Sequence, residues 1–209
     1  MDIHPPHAIH SWKDFGIQLV TITAGILIAL SLEGVRESVR DRALVREARD
    51  TIALELADNK KGLDGQIAGV AERKKNYATA LRFADELLKR QTPTEHNVNM
   101  GVNFADLSEA GWQTAERTGA LSHMDYAEVQ KLAQVYTMQE MFVQQQQRYL
   151  ERLSATTAIL VASGNPMLAP LPDVERFRQQ VITLGGDLLF EEQLARQLSE
   201  RYAKALKQE

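Results

Sequence analysis

The sequence of 209 residues contains no cysteine, so disulfide frameworks, thiolate zinc sites and cysteine nucleophiles are all excluded. Proline and glycine are scarce, with 6 and 12 residues, while 44% of the chain is hydrophobic and 25% is charged. Such a composition is typical of a folded protein rather than a disordered or low-complexity one. The formal net charge of −4 and the absence of a basic face interleaved with aromatics predict no nucleic-acid partner.

Catalytic motifs are lacking as well. The chain has no GxSxG elbow, no GxxxxGK[ST] or GxGxxG phosphate loop and no HExxH metal motif. His123 lies close to Asp125, but neighbours within one turn seldom form a catalytic pair. We therefore predict that the protein is not an enzyme, and we expect no catalytic residue and no cofactor.

Two acidic pairs are the remaining candidates for acid–base chemistry. A solvated helix face or a capping turn is the more ordinary role of such pairs. We expect that role for both of them, Glu191 with Glu192 and Asp106 with Glu109.

Residues 1–14 form an N-terminal tail. Pro5 and Pro6 prevent a regular helix and favour polyproline II geometry there. His4, His7 and His10 recur at every third position, which is the one pattern in the chain that suggests a metal site. No acidic or sulfur partner is fixed near them, so we predict a solvated tail and no metal.

The most informative stretch is the charge-free run from Phe15 to Leu32. At 1.5 Å per residue, its 18 positions span roughly 27 Å as a helix, close to the hydrocarbon thickness of a bilayer. Trp12, just before the run, is an aromatic residue of the kind enriched at membrane interfaces. Residues 15–32 are therefore predicted to form one transmembrane helix with the lipid bilayer as its partner.

Two other interpretations of the run remain open. A cleaved signal peptide is the first, with a candidate cleavage site at Ala29-Leu30-Ser31, although the preceding residues are not basic. A buried core helix is the second, because Gln18, Thr21 and Thr23 interrupt the apolar run.

The arginines near the run give the orientation that the positive-inside rule favours. Lys13 precedes the run, whereas five arginines follow it: Arg36, Arg40, Arg42, Arg46 and Arg49. The rule places the larger number of positive residues, and with it the C-terminal domain, in the cytoplasm. The short tail offers little contrast, because it carries a free amino group and three histidines.

Within the run, Gln18, Thr21, Gly25 and Ala29 lie one helical turn apart. Small residues at this spacing allow two helix backbones to approach closely, and Gln18 adds an amide that hydrogen-bonds across such a pair. We predict that these four residues form a helix-association site, for a second copy or another protein. The alternative is a span that only anchors the chain.

Residues 33–209 are predicted to form a helical bundle domain. No segment alternates with period two, so we expect no sheet and an all-α fold. We expect a break near Asp58–Gly65, an irregular connector over 91–103, a short helix around 104–119 and a long helix that starts with Asp125 and Glu128 as a capping box. Apolar stripes define three buried faces: Ile52, Leu56, Leu63, Val70, Tyr77 and Ala84; Val129, Leu132, Tyr136, Val143, Leu150, Leu153 and Leu160; and Val174, Phe177, Val181, Leu184, Leu188, Leu198 and Tyr202.

Three stretches resemble an uncharacterised group of bacterial single-pass membrane proteins. Residues 10–15, HSWKDF, are similar to the segment that precedes the span in that group, and residues 25–30, GILIAL, are similar to the core of the span. Residues 112–124, WQTAERTGALSHM, resemble a segment before a long helix that contains a tyrosine, here Tyr136. The resemblance implies an N-terminal span in the bacterial inner membrane followed by a helical domain, and it implies no activity.

Two functions are consistent with these observations. The first is a membrane-anchored structural or interaction module, a scaffold or assembly protein that docks a protein partner or pairs with itself. The alternative is a ligand-sensing bundle in which Gln139, Gln146 and Trp112 line a pocket between helices. Polar residues at core-like positions such as Gln139 and Gln146 more often fix helix register than bind a ligand.

Overall fold

The computed structural model describes residues 12–95 and 98–207, and only the backbone of Asp14. In these ranges the regular structure is helical and contains no strand, which confirms the predicted all-α fold. The five α-helices are α1 (Trp12–Ala68), α2 (Val70–Leu88), α3 (Ala110–Arg117), α4 (Tyr126–Val161) and α5 (Leu171–Leu206), with short 3-10 helices at Ala120–His123 and Pro166–Leu168.

The chain divides into two compact units between Glu47 and Ala48. The described residues of the first unit, from Trp12 onwards, form the N-terminal part of α1. Near the N-terminus α1 is long and apolar enough to cross a membrane, and 0% of its apolar window is buried. The interpretation of this run as a buried core helix is therefore wrong. The hydroxyls of Thr21 and Ser31 donate to the carbonyls of Ile17 and Leu27, so the helix backbone satisfies both hydroxyls.

In the second unit, the end of α1 and the whole of α2 bury the apolar face that the sequence predicts. Ile52, Leu56, Leu63, Val70, Tyr77 and Ala84 are all buried. The break expected near Asp58–Gly65 lies later, because α1 continues to Ala68 and is interrupted only at Gly69. Leu63, which lies between Gly62 and Gly65, is fully buried, so its packing offsets the low helix propensity of the two glycines.

The segment between α2 and α3, residues 89–109, is irregular where it is described; we name it the connector, and its second half returns along α1. The backbone nitrogen of Ala105 donates to the side chain of Gln66, and the backbone of Ser108 bonds the side chain of Asn59. As the number of the connector residue rises, that of its α1 partner falls, so the segment runs opposite to α1. The connector is irregular as predicted where it is described, whereas the short helix covers only Ala110–Arg117.

The start and end of α4 and the start of α5 are set by residues with strong local preferences. The Asp125 carboxylate accepts from the backbone nitrogens of Ala127 and Glu128 at 2.9 and 3.1 Å, which caps α4. Gly164 follows α4 with φ +69°, a conformation that favours glycine, and Pro172 lies in the first turn of α5. Both α2 and α4 pack against α5.

The predicted face of α5 is confirmed, and that of α4 is partly wrong. Val174, Phe177, Val181, Leu184, Leu188, Leu198 and Tyr202 are all buried. In α4, Val143 and Leu150 are exposed, while their neighbours Phe142 and Tyr149 are fully buried. The larger aromatic side chains occupy the core, since they remove more apolar area from water than Val or Leu.

Candidate functional site

The predicted helix-association residues lie together on the surface of the first unit. Gln18, Thr21, Gly25 and Ala29 are all exposed, and at 100° per residue they fall within an arc of about 80°. A Cβ added at Gly25 would meet no atom within 4 Å. This face of the helix is therefore open to a partner.

The exposed apolar face extends beyond the charge-free run. From Thr21 and Gly25 this face continues, at alternating steps of three and four residues, through Ile28, Leu32, Val35 and Val39. We name these six residues the heptad stripe. Val35 and Val39 lie among charged residues and are 63% and 60% exposed. The sequence analysis missed these two residues, although their spacing is the signal that identifies them.

Polar side chains form a first buried layer in the second unit. The Asn59 amide nitrogen donates to Ser108 O at 2.7 Å, and Ser108 N donates back to Asn59 Oδ1 at 2.8 Å. The Gln139 side chain joins them: its nitrogen donates to Ser108 O at 2.9 Å, and its oxygen accepts from the Tyr202 hydroxyl at 2.7 Å. Helices α1 and α4 are thus bonded to one residue of the connector, and α5 is joined to them through Gln139.

A second buried layer lies one heptad further along α1. Gln66 donates to Glu191 Oε1 at 2.7 Å and accepts from the side chain of Gln146 at 2.9 Å and from Ala105 N at 2.7 Å. Arg73 donates to the same Glu191 oxygen at 2.9 Å. The Glu191 side chain is only 1% exposed, so the expectation of a solvated face is wrong for this residue. Its Oε2 is buried and has no hydrogen-bond partner among the described residues.

Trp112 is anchored at the start of α3. Its indole ring stacks on the Tyr136 ring with centroids 5.0 Å apart. The Tyr136 hydroxyl donates to Glu55 at 2.7 Å, and the same carboxylate accepts from the backbone nitrogen of Gly111 at 2.7 Å. The pKa of Tyr136 is raised by burial and by the Glu55 carboxylate, so the phenol stays a neutral donor at ordinary pH.

These polar contacts have a structural purpose. Asn59 and Gln66 bond the backbone of the connector, which lacks hydrogen bonds of a helix or sheet, and Glu55 accepts from the backbone nitrogen of Gly111 in the first turn of α3. The residues considered as pocket lining, Gln139, Gln146 and Trp112, make internal contacts instead. Glu55, Asn59, Gln66 and Arg73 escaped the sequence analysis, although the last three recur every seven residues within the apolar pattern of α1 and α2.

An open apolar cavity lies where α2 and α4 end and α5 begins. Its volume is about 510 Å³, and we name it the end cavity. Its floor consists of buried side chains, and two half-buried methionines contribute to its walls: Phe83, Leu153, Leu160 and Phe177, with Met100 and Met167. No sequence pattern indicates this cavity, because its lining comes from five separate segments of the chain.

Metal binding has no support in the described part of the chain, where no three His, Asp or Glu side chains form a group that could hold an ion. His4, His7 and His10 lie outside the described residues.

Asp106 and Glu109, the other acidic pair, lie in the connector and at the start of α3.

Comparison with known proteins gives no relative to guide the interpretation. No family model, no curated protein and no solved structure matches this chain. The function must therefore be inferred from the surface of α1 and from the interior of the bundle.

Proposed function

We propose that the protein is a membrane-anchored helical interaction module that pairs with a second copy through its first helix. The observation that supports this function best is the heptad stripe, since it continues past the apolar run into a charged segment. A lipid-facing anchor needs no apolar residue beyond the hydrocarbon region, whereas a helix pair in water does.

The membrane explains why the partner is a second copy. Chains inserted in one orientation present their helices in parallel, with the same residues at the same depth. Identical residues then meet across a two-fold axis, as in a parallel coiled coil. Gly25 gives close backbone approach within the span, and Val35 and Val39 continue the same seam outside it.

Location and family belong to the same proposal. We place the span in a bacterial inner membrane, with the bundle on the cytoplasmic side, where the five arginines that follow the run favour it. The resemblance to single-pass proteins of that membrane supports this location. The scaffold or assembly role then follows from pairing two bundles at one membrane site.

The lack of native cysteine makes pairing directly measurable by single-cysteine oxidation in native membranes. Val35→Cys should form disulfide-linked dimers on mild oxidation. Glu37→Cys is the matched control, because it is also exposed but lies on the opposite side of the helix. Equal dimer yields from both variants, or none from either, would refute pairing through the stripe.

N-terminal sequencing of the membrane-bound chain tests the anchor itself. An intact N-terminal segment that resists extraction by alkaline carbonate is the expected result. A mature chain that begins after Ser31 would show a cleaved signal peptide and overturn the anchor.

The alternative function, ligand sensing, is favoured by the end cavity and not by the pocket that Gln139, Gln146 and Trp112 were expected to line. The buried glutamines and Trp112 have partners within the protein, whereas the end cavity offers open apolar volume. Ligand sensing therefore stays a second proposal, with its site moved to the end of the bundle.

A further inference from the structure

The end cavity has the volume and lining of a site for a hydrocarbon chain. An apolar protein cavity of about 150 Å³ binds benzene, which corresponds to about 25 Å³ per carbon atom. At that ratio the volume of about 510 Å³ accommodates roughly 20 carbon atoms. Two methionines in the lining suit a flexible chain, because their side chains adapt to its shape.

A second cavity adjoins this apolar one and shares Met167 with it. It has a volume of about 340 Å³ and a mixed lining, in which Arg90, Gln91 and Thr92 lie beside apolar residues. Among the described residues, the Arg90 guanidinium has no hydrogen-bond or ion-pair partner. An unpaired cation beside an apolar cavity is complementary to an amphiphile with an anionic head.

The backbone of Arg90 is a separate sign of function. Arg90 has φ +57°, and it is the one described residue other than glycine with a positive φ. It follows the last turn of α2, where its nitrogen donates to Leu87 O and that of Gln91 donates to Glu86 O, both at 2.9 Å. Glycine is the usual residue at this position of a helix end. A residue other than glycine is uncommon there, which makes the Arg90 side chain a candidate functional group.

The turn that presents Arg90 is held in place by the Glu86 carboxylate. Its oxygens accept from the backbone nitrogen and the hydroxyl of Thr94, both at 2.8 Å. These bonds lower the pKa of Glu86, so the carboxylate is ionised and fully engaged at neutral pH. The turn that carries Arg90 is thus tied to α2 by the Glu86 side chain, and Arg90 belongs to the lining of the second cavity.

We propose that the end cavity binds a long-chain fatty acid. The hydrocarbon chain lies among Phe83, Leu153, Leu160 and Phe177, and the carboxylate bonds the Arg90 guanidinium. This site is independent of the membrane anchor and of pairing through α1, and it gives the bundle a ligand of defined chemistry.

The test uses the full-length chain in lipid nanodiscs with a fatty acid that carries a photoreactive diazirine near the end of its chain. Labelled residues are mapped by mass spectrometry, with and without competing oleate. We expect labelling of peptides that contain Met100 and Met167, and we expect excess oleate to suppress it. Labelling of residues 15–32 by bilayer contact is not saturable and serves as an internal reference.

Two pairs of conditions distinguish a bound fatty acid from surface contact. Thr157→Trp fills the cavity from an exposed position of α4 and should abolish the oleate-sensitive labelling, whereas the exposed control Ala155→Trp should not. Arg90→Gly should reduce competition by oleate about tenfold. The same variant should leave competition by uncharged oleyl alcohol unchanged and should not lower the melting temperature, because glycine suits the positive φ.

Three results would overturn the proposal. Labelling confined to the span would show that the cavity holds no chain. Labelling that survives Thr157→Trp would place the fatty acid elsewhere. Unchanged competition by oleate in Arg90→Gly would exclude Arg90 as the partner of the carboxylate.

Discussion

The side chain of Asn59 pairs with the backbone of Ser108 through two hydrogen bonds, one in each direction, at 2.7 and 2.8 Å. An amide side chain on a helix thereby replaces the neighbouring strand that an extended segment ordinarily requires. The pair joins positions 49 residues apart and fixes the connector against α1.

Asn59→Ala should therefore destabilise the fold strongly. The substitution leaves the Ser108 backbone nitrogen without a partner and removes one of the two donors to its oxygen, which keeps only Gln139. A loss of about 2–4 kcal/mol in the free energy of unfolding is expected. Gln147→Ala, an exposed amide on α4, is the control and should change stability by less than about 0.5 kcal/mol. Denaturant unfolding of the full-length chain in detergent measures both; equal stabilities would contradict the role given to Asn59.

The buried pair of Arg73 and Glu191 should show strong coupling. Their side chains are 8% and 1% exposed, so removal of one leaves the other as an uncompensated buried charge. Arg73→Met or Glu191→Leu alone is expected to cost about 3–5 kcal/mol, and the double variant less than either. The control is Arg196→Ala, which removes the largely exposed partner of Glu192 and should cost under about 1 kcal/mol. Additive losses in the double variant would show that the two charges act separately.

Glu86 should make stability depend on pH in the acid range. Hydrogen bonds from the nitrogen and hydroxyl of Thr94 hold its folded-state pKa below the ordinary value of 4.5. For a lowered pKa, the added stability is complete above the ordinary value and is lost as the pH falls through the folded-state value. The melting temperature of Glu86→Gln should thus approach that of the wild type as the pH falls below 4.5.

Melting curves from about pH 3 to about pH 7 measure this convergence. Glu200→Gln, at an exposed position of α5, is the control and should keep the acid dependence of the wild type. A constant difference between Glu86→Gln and the wild type at every pH would count against the contribution of the Glu86 carboxylate.

Gly25→Leu should weaken pairing of the first helices. A leucine side chain at this open position separates two backbones that approach through small residues, and the expected loss is roughly 1–2 kcal/mol of dimerisation free energy. Thr23→Leu, on the opposite face of the span, is the control and should leave pairing unchanged. Disulfide yield at Val35→Cys reports both, and an undiminished yield in Gly25→Leu would make the small residues incidental.

The sequence was sufficient for most of the fold, but it did not identify the end cavity or most of the buried polar contacts. Apolar periodicity identified the buried faces of α2 and α5, because hydrophobic burial acts on residues at regular spacing. Glu191 lies within the apolar spacing of α5, but its charge led to the expectation that it is exposed. Its partners Gln66 and Arg73 lie more than a hundred residues away in the sequence. No local pattern indicates such a pair.

The connector shows a second limit. Residues 104–109 were expected to be helical, but they form an irregular segment. Side chains of α1 bond the backbone of Ala105 and Ser108 and stabilise this conformation. Tertiary contacts here override local preference. The end cavity was hidden for a related reason, because α2, the connector, α4 and α5 contribute to it together.

The buried layers also constrain how the chain is made. Gln66 and Arg73 need Glu191, which lies 125 and 118 residues later in the sequence. At about 5–20 residues per second, a ribosome reaches Glu191 roughly 6–25 s after it has added these two residues. Until α5 emerges, the Arg73 guanidinium and the amide nitrogen of Gln66 lack the carboxylate that they bond in the folded domain, so this buried layer closes only at the end of synthesis.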